Sequence, residues 1–268
     1  MKFLISDYSS HWSTEPYYFN AGLNSVGIIS NIWNKNASVY DNFDTYKPDI
    51  FIGHVSDLSK DLISYLKENL EIKIALNVNG AEEKHIEAIE NLFETYNMKC
   101  LFFGANEINC KKMKFVKILH AADLFIKPIK KQFNIEKAIF VNNKEQMSEN
   151  DGTYHYLTTN PELGKDVDIF YPIVELNRLF PSYDEIIFKD PSYIESQIAF
   201  DAIKSGAKVI FDLKDSTSLD KINELFKGEK FLASIKTRHS CFHRLKSLMS
   251  QLSCAEIVNK INEKINSL

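Results

Sequence analysis

The sequence predicts an α/β protein built from parallel sheets with helices on both faces. Three observations carry this. Short apolar runs and amphipathic runs alternate along the whole of the 268 residues, which is the pattern of repeated strand–helix–strand crossovers. The apolar runs, such as "FLIS", "IFIGH" and "VIFD", lack polar alternation, as strands covered on both sides do. The strand-like runs fall into two groups, before residue 125 and after residue 137, parted by a stretch with Lys127, Pro128, Lys130 and Lys131. That break disfavours a barrel of eight regular units and favours two Rossmann-like domains facing a cleft.

The elements follow in order. Residues 3–6 read as the first strand. Residues 17–26 have helical spacing and stop at Gly27, a fitting C-cap. Residues 28–32 are the second strand, and 49–53, entered through Pro48, the third. A helix over 58–70 has Asp57 as its candidate N-cap. "IKIALNVNG" is the fourth strand, 82–96 a helix and "KCLFFGA" the fifth strand, followed by a helix over 112–122. In the second half, "KAIFVNN", "YHYLTTN", "DEIIFKD" and 208–212 are strands. Helices are expected over 144–149, 172–180, 193–205 and 219–225, and through most of 238–268.

Composition excludes several classes. A hydrophobic share of 44% with 25% charged residues is ordinary for a globular chain. A net charge of −4 gives no long-range attraction to nucleic acid or anionic lipid. Lys111, Lys112, Lys114 and Lys117 form one local basic patch, and Lys127, Lys130 and Lys131 another; both fit solvated helix surfaces. Cys100, Cys110, Cys241 and Cys254 form no CxxC pair, so they read as reduced thiols of a cytoplasmic protein and not as zinc ligands. No apolar run approaches the ~20 residues needed to span a bilayer.

In doubly wound sheets, ligands lie at the carboxyl ends of the strands. The loops of interest are therefore 7–14, His54, 77–80, 104–106, 142–144, 158–160, 189–197 and 212–216. Several of these loops carry a resemblance. "SDYSSHWSTEPYYFNAGLNSVG" looks like a first strand, polar loop and helix of an acceptor domain, "YKPDIFIGH" like its third strand, and "IFVNN" like the strand that opens a donor domain. "IIFKDPSYIESQIAFDAIKSGAKVIFD" and "TRHSCFHRLKSL" are the more specific stretches. Together they resemble a small GT-B glycosyltransferase, similar to the CgeB-like (spore-maturation) group of family-1-type transferases. The chain departs from that pattern at Ile198, where the family often has Arg, at Asp201 for the commoner Glu, at Ser205 for Cys, and in a first loop without glycine.

The resemblance implies a metal-independent transferase that moves a sugar from a nucleoside-diphosphate donor, a UDP- or GDP-sugar, to the hydroxyl of an unidentified glycan, protein or small molecule. It needs no separate cofactor. The implied boundaries are 1–127 for the acceptor-side domain, 128–250 for the donor domain and 251–268 for a C-terminal helix closing back.

Read on their own chemistry, the residues of the second half fit a donor. A diphosphate needs amide donors, hydroxyls or cations. A helix starting near Tyr193, with Ser192 as candidate N-cap and Ser196 and Gln197 in its first turns, supplies them. Asp201 is placed to accept ribose hydroxyls, and Gly206 to end the helix. Asn142 and Asn143 fit phosphate contacts, and Thr158 with Thr159 and Asn160 the edge of a base. Each also has a plain alternative: Asp201 as a surface helical residue, and the Asn and Thr residues as turn formers. On the acceptor side, His11 and Glu15 are the candidate general bases, and Trp12 has a face for a sugar ring. "DVD" at 166–168 resembles a metal-binding D-x-D, but it precedes its strand instead of following one. Three other readings stand beside the transferase: a non-catalytic two-lobed binding module, an inactive relative, and sugar transfer to modified DNA bases.

Overall fold

The computed structural model describes residues 1–8, 14–34, 36–129, 131, 133–147, 152–171, 173–213, 216–226 and 231–268. Contacts divide the chain into two compact units, one of residues 1–8, 15–119 and 242–268, the other of 9–14 and 120–241.

The first unit is a six-stranded, all-parallel sheet. Its elements are β1 (Lys2–Ser6), α1 (Glu15–Ser25), β2 (Ile29–Trp33), α2 (Val39–Tyr46), β3 (Ile50–His54), α3 (Lys60–Glu68), β4 (Lys73–Asn77), α4 (Glu83–Thr95), β5 (Cys100–Gly104) and β6 (Lys114–Lys117), in the order β2-β1-β3-β4-β5-β6. In the middle of the sheet, Phe3, Leu4 and Ile5 lie beside Ile50, Phe51 and Ile52, all fully buried or nearly so, which explains the unbroken apolar runs. Gly27, at φ +75°, turns the chain from α1 into β2, a backbone geometry open to glycine at no steric cost.

Local chemistry sets the helix starts. The Ser38 hydroxyl accepts from Asp41 N at 3.3 Å, and α2, unforeseen in the sequence, begins behind it. Ser59 caps α3, accepting from Leu62 N at 3.2 Å. Asp57, the expected cap, is engaged elsewhere: its Oδ2 accepts from Ser6 Oγ at 2.7 Å and His54 N at 3.1 Å. The helix expected over 112–122 is instead the edge strand β6. Phe115 and Val116 are half-buried, with Phe115 packed against the core, and Lys114 and Lys117 are exposed. Lysine on an edge strand also discourages pairing with a further strand.

The second unit holds β7 (Lys137–Phe140), β8 (His155–Thr158), β9 (Ile169–Phe170), α5 (Ile173–Leu179), β10 (Glu185–Phe188), α6 (Gln197–Lys204), β11 (Lys208–Phe211), α7 (Ser216–Phe226) and α8 (Phe231–Thr237). The five strands are parallel, in the order β11-β10-β7-β8-β9. Phe140, Phe180, Phe188, Tyr193 and Ile198 fill one side of this sheet. The helix expected over 193–205 starts later. Pro191–Tyr193 form a single 3-10 turn, and α6 begins at Gln197 behind Ser196, whose Oγ accepts from Ala199 N at 3.2 Å. Ser192 is therefore not the cap. Gly206, at φ +90°, turns the chain from α6 into β11.

The tail is two helices, α9 (Cys241–Gln251) and α10 (Ala255–Asn266). The break between them contains Ser253 at φ +58°. From Phe242 onward the tail counts with the first unit. The divisions of the chain between the units fall at 8/9, 14/15, 119/120 and 241/242.

Candidate functional site

A doubly wound sheet opens a crevice where successive strands are added on opposite sides. In the second unit this happens between β7 and β10. The loop after β7 carries Asn142 and Asn143. Asn143 is exposed and its side chain accepts from Gln146 N at 3.2 Å, starting a short 3-10 turn. The loop after β10 carries Asp190 and the exposed Ser192, whose N–H donates to Asp190 Oδ1 at 2.8 Å. Gln146 ties the two loops together. Its Oε1 accepts from Asn142 N at 2.6 Å and its Nε2 donates to Asp190 Oδ2 at 2.8 Å. Asn142 O in turn accepts from Asn160 Nδ2 at 3.2 Å. The crevice thus has a fixed polar lip of Asn142, Asn143, Gln146, Asp190 and Ser192. The sequence pointed to three of these and missed Gln146 and the placement of Asp190.

The remaining candidates of the donor set lie inside the unit. Thr158 is fully buried and its Oγ1 accepts from Asn160 N at 3.0 Å, so it shapes the turn. Tyr193 is buried with its ring against Phe140 and Phe188. Ser196 is committed to the cap, and its hydroxyl also donates to Tyr193 O at 2.8 Å. Gln197 is fully buried: its Oε1 accepts from Thr14 N at 2.9 Å and its Nε2 donates to Thr14 Oγ1 at 2.6 Å.

Asp201, expected to meet a ribose, is only 3% exposed. Its Oδ1 accepts from Asp123 N at 2.7 Å, and its Oδ2 from Asn177 Nδ2 at 2.6 Å and Gln197 Nε2 at 3.1 Å. Asp123 accepts from Thr14 Oγ1 at 3.0 Å. Burial first, and the Asp123 charge second, hold the Asp201 carboxyl well above the usual carboxylate range, against the opposing pull of its hydrogen bonds and Lys204. The carboxylate that looked like a ligand group is the knot joining α5, α6 and the chain at 123.

The crevice of the first unit lies between β1 and β3. His11 and Trp12, in the loop after β1, lie outside the described residues. His54 closes β3. Its Nδ1 accepts from Ser56 N at 3.1 Å and its Nε2 lies 2.9 Å from Asn79 O, which puts the ring proton on Nε2. Glu15, the other candidate base, opens α1 and is 1% exposed. Its Oε1 accepts from Tyr8 Oη at 2.6 Å and Asn77 Nδ2 at 2.7 Å, and its Oε2 from Tyr18 Oη at 3.3 Å. Nε of Arg244, in the first turn of α9, donates to Oε2, and Nη2 of the same guanidinium is in ion-pair contact with it. Nη1 of Arg244 donates to the carbonyls of Ile118 and Leu119, and the guanidinium lies 5.9 Å from the centre of the Phe103 ring. Burial, and next the Glu15 charge, push the Tyr8 hydroxyl well above the ordinary tyrosine range. With both oxygens occupied by these donors, Glu15 is committed to its buried partners. Glu15 acts as an anchor for α1, β4 and α9.

Two further expectations resolve simply. Asp168 of the D-x-D accepts from Tyr156 N at 2.7 Å, and Asp166 pairs with Lys144 at 2.9 Å. Among the described residues no group of three or more His, Cys, Asp or Glu is disposed to hold a metal. His239 stacks on Phe200 at 5.0 Å, ahead of α9, so the helix expected over 238–268 starts only at Cys241. Among the described residues no helix is long and apolar enough to cross a membrane.

No protein-family model matches the sequence, and no curated protein matches it. Three solved structures are similar over most of the chain. Anabaena Alr3699/HepE in complex with UDP and glucose has a TM-score of 0.44 at 10% identity, covering 100% of both chains. The spinosyn rhamnosyltransferase SpnG with thymidine diphosphate has a TM-score of 0.40 at 8% identity, covering 98% of this chain and 96% of its own. The apo D-lactate dehydrogenase of Escherichia coli has a TM-score of 0.27 at 10% identity, covering 84% and 79%. Likeness at this level assigns neither a family nor a ligand to this chain.

Proposed function

We propose that the chain is a glycosyltransferase that takes a sugar from a nucleoside-diphosphate donor held at the carboxyl ends of β7 and β10. The observation that carries this reading is the strand order β11-β10-β7-β8-β9, which reverses direction between β7 and β10 beneath a polar lip. The sequence resemblance supplies the class of chemistry. In this reading Asn143 and the Ser192 hydroxyl face the diphosphate. Asp190, and not the buried Asp201, accepts ribose hydroxyls. His11 is the general base, because Glu15 is saturated by its donors. No step calls for a metal.

One observation favours a second reading, a binding module without turnover. The acidic candidate base is locked in an ion pair 0% and 1% exposed at its two side chains.

Thermal unfolding against UDP, GDP, ADP, CMP and TDP tests the site. A ligand at about 100 times its Kd stabilises a fold by about 2.7 kcal/mol. The expected result is a rise in Tm with one diphosphate that Ser192→Trp, on the exposed lip, abolishes. A rise that survives Ser192→Trp, or no rise with any nucleotide, removes the donor site from β7 and β10.

A further inference from the structure

Asp190 follows β10 and is half-buried at the polar lip. Two loops hold its carboxylate, one on each oxygen. Oδ1 accepts from Ser192 N at 2.8 Å, in its own loop, and Oδ2 from Gln146 Nε2 at 2.8 Å, in the loop after β7. The Gln146 amide is itself fixed in direction. Its Oε1 accepts from Asn142 N at 2.6 Å, so its NH₂ end faces Asp190 and needs an acceptor there, which a carboxylate supplies. A carboxylate has about four acceptor positions, and these two bonds fill two of them.

A carboxylate held in this way selects its ligand. It repels a diphosphate, so Asp190 meets an uncharged part of a nucleotide. The 2′,3′-diol of a ribose carries two adjacent O–H donors and can occupy both oxygens together. A 2′-deoxyribose leaves one oxygen facing the sugar without a donor, and a site built to bind a hydroxyl rejects the analogue that lacks it. The rejection depends on the carboxylate staying in place, because one free to turn to water loses little. Gln146 ties it across the crevice.

We propose that Gln146 is a positioning residue. It fixes Asp190 to receive a vicinal diol, so that the crevice between β7 and β10 takes ribonucleoside diphosphates and rejects their 2′-deoxy counterparts. The inference rests on the donor site proposed above and adds the class of donor, a UDP- or GDP-sugar and not a thymidine-diphosphate sugar.

Isothermal titration calorimetry of the full chain with UDP, 2′-deoxy-UDP, GDP and 2′-deoxy-GDP tests this. One ribonucleotide is expected to bind at least about tenfold more tightly than its deoxy partner. Gln146→Glu keeps the side-chain size and the acceptor for Asn142 N, but sets a second carboxylate against Asp190 where the donor was. Gln146→Met removes the donor without adding charge. In both variants the ratio of the two affinities should fall towards one. A purely structural role for Gln146 would weaken both members of the pair alike, and an unchanged ratio overturns the proposal. Asp190→Asn, whose Oδ1 can still accept from Ser192 N, should lower the ratio too, and it carries the test if the Gln146 variants do not fold. A ratio near one in the parent overturns the proposal and leaves the donor site standing. Equal binding of GDP and 2′-deoxy-GDP would put on Asp190 the guanine edge, which also has two adjacent donors. Binding of none of the four removes the donor site and this inference with it.

Discussion

Arg244 and Glu15 set the residue-scale energetics of the first unit. Both are buried, with Arg244 paired to Glu15 and bonded to two backbone carbonyls. Removing one partner of such a pair strands a charge away from water, at a cost of roughly 3–5 kcal/mol. Arg244→Met is expected to lose stability on that scale in urea unfolding; a loss below about 1 kcal/mol, typical of an exposed pair, would contradict the assignment. Asp201 gives a pH signature in the second unit. Its carboxyl is held above its unfolded value, so its contribution is fully present below about pH 3.9 and is lost as pH rises towards the folded value. The slope is at most about 1.4 kcal/mol per pH unit for one proton. Asp201→Asn cannot titrate, and the turned amide of Asn177 can accept from it. Urea midpoints above pH 4 should therefore fall less steeply with pH in Asp201→Asn than in the parent, and equal slopes would remove Asp201 as the titrating group. Neither role was legible in the sequence. "FDAIKSG" gives Asp201 a helix and a face but not its depth, and "TRHSCFHRLKSL" shows Arg244 as one more polar residue of a terminal helix.

The elements were far more legible, because strand and helix periods are written locally. Where the sequence misled, a local competitor decided. Asp57 left the cap of α3 to Ser59 because it bonds Ser6 and the His54 amide. In β6, pairing with β5 and the packing of Phe115 against the core outweighed the helical spacing of the apolar residues around it. The break between α9 and α10 rests on Ser253 in left-handed geometry at φ +58°. A residue with a Cβ is strained there by about 1 kcal/mol, and glycine is not. Ser253→Gly is expected to raise Tm, despite the greater freedom glycine gives the unfolded chain. A fall in Tm would show that the Ser253 side chain outweighs the backbone strain.

For the whole molecule, two parallel sheets were readable from the alternation of elements, and the polar loops after β7 and β10 from the rule that ligands meet strand ends. The strand order was not, since a sequence does not state on which side of a sheet the next strand is added. Asn143 and Ser192 are exposed in the loops after β7 and β10, where that order changes side, while Thr158, Gln197 and Asp201 are buried. The return of residues 242–268 to the first unit likewise depends on a partner for Arg244 that lies 229 residues away in the chain. The most direct measurement of the central claim is the release of free nucleoside diphosphate from UDP- and GDP-sugars, followed with and without a panel of hydroxyl acceptors. The proposed function requires release from one donor, accelerated by an acceptor, and a drop of roughly 10²-fold or more in His11→Ala, the scale of a lost general base. A nucleotide that binds at the lip of β7 and β10 but is never released from its sugar would contradict transfer and leave the chain a binding module.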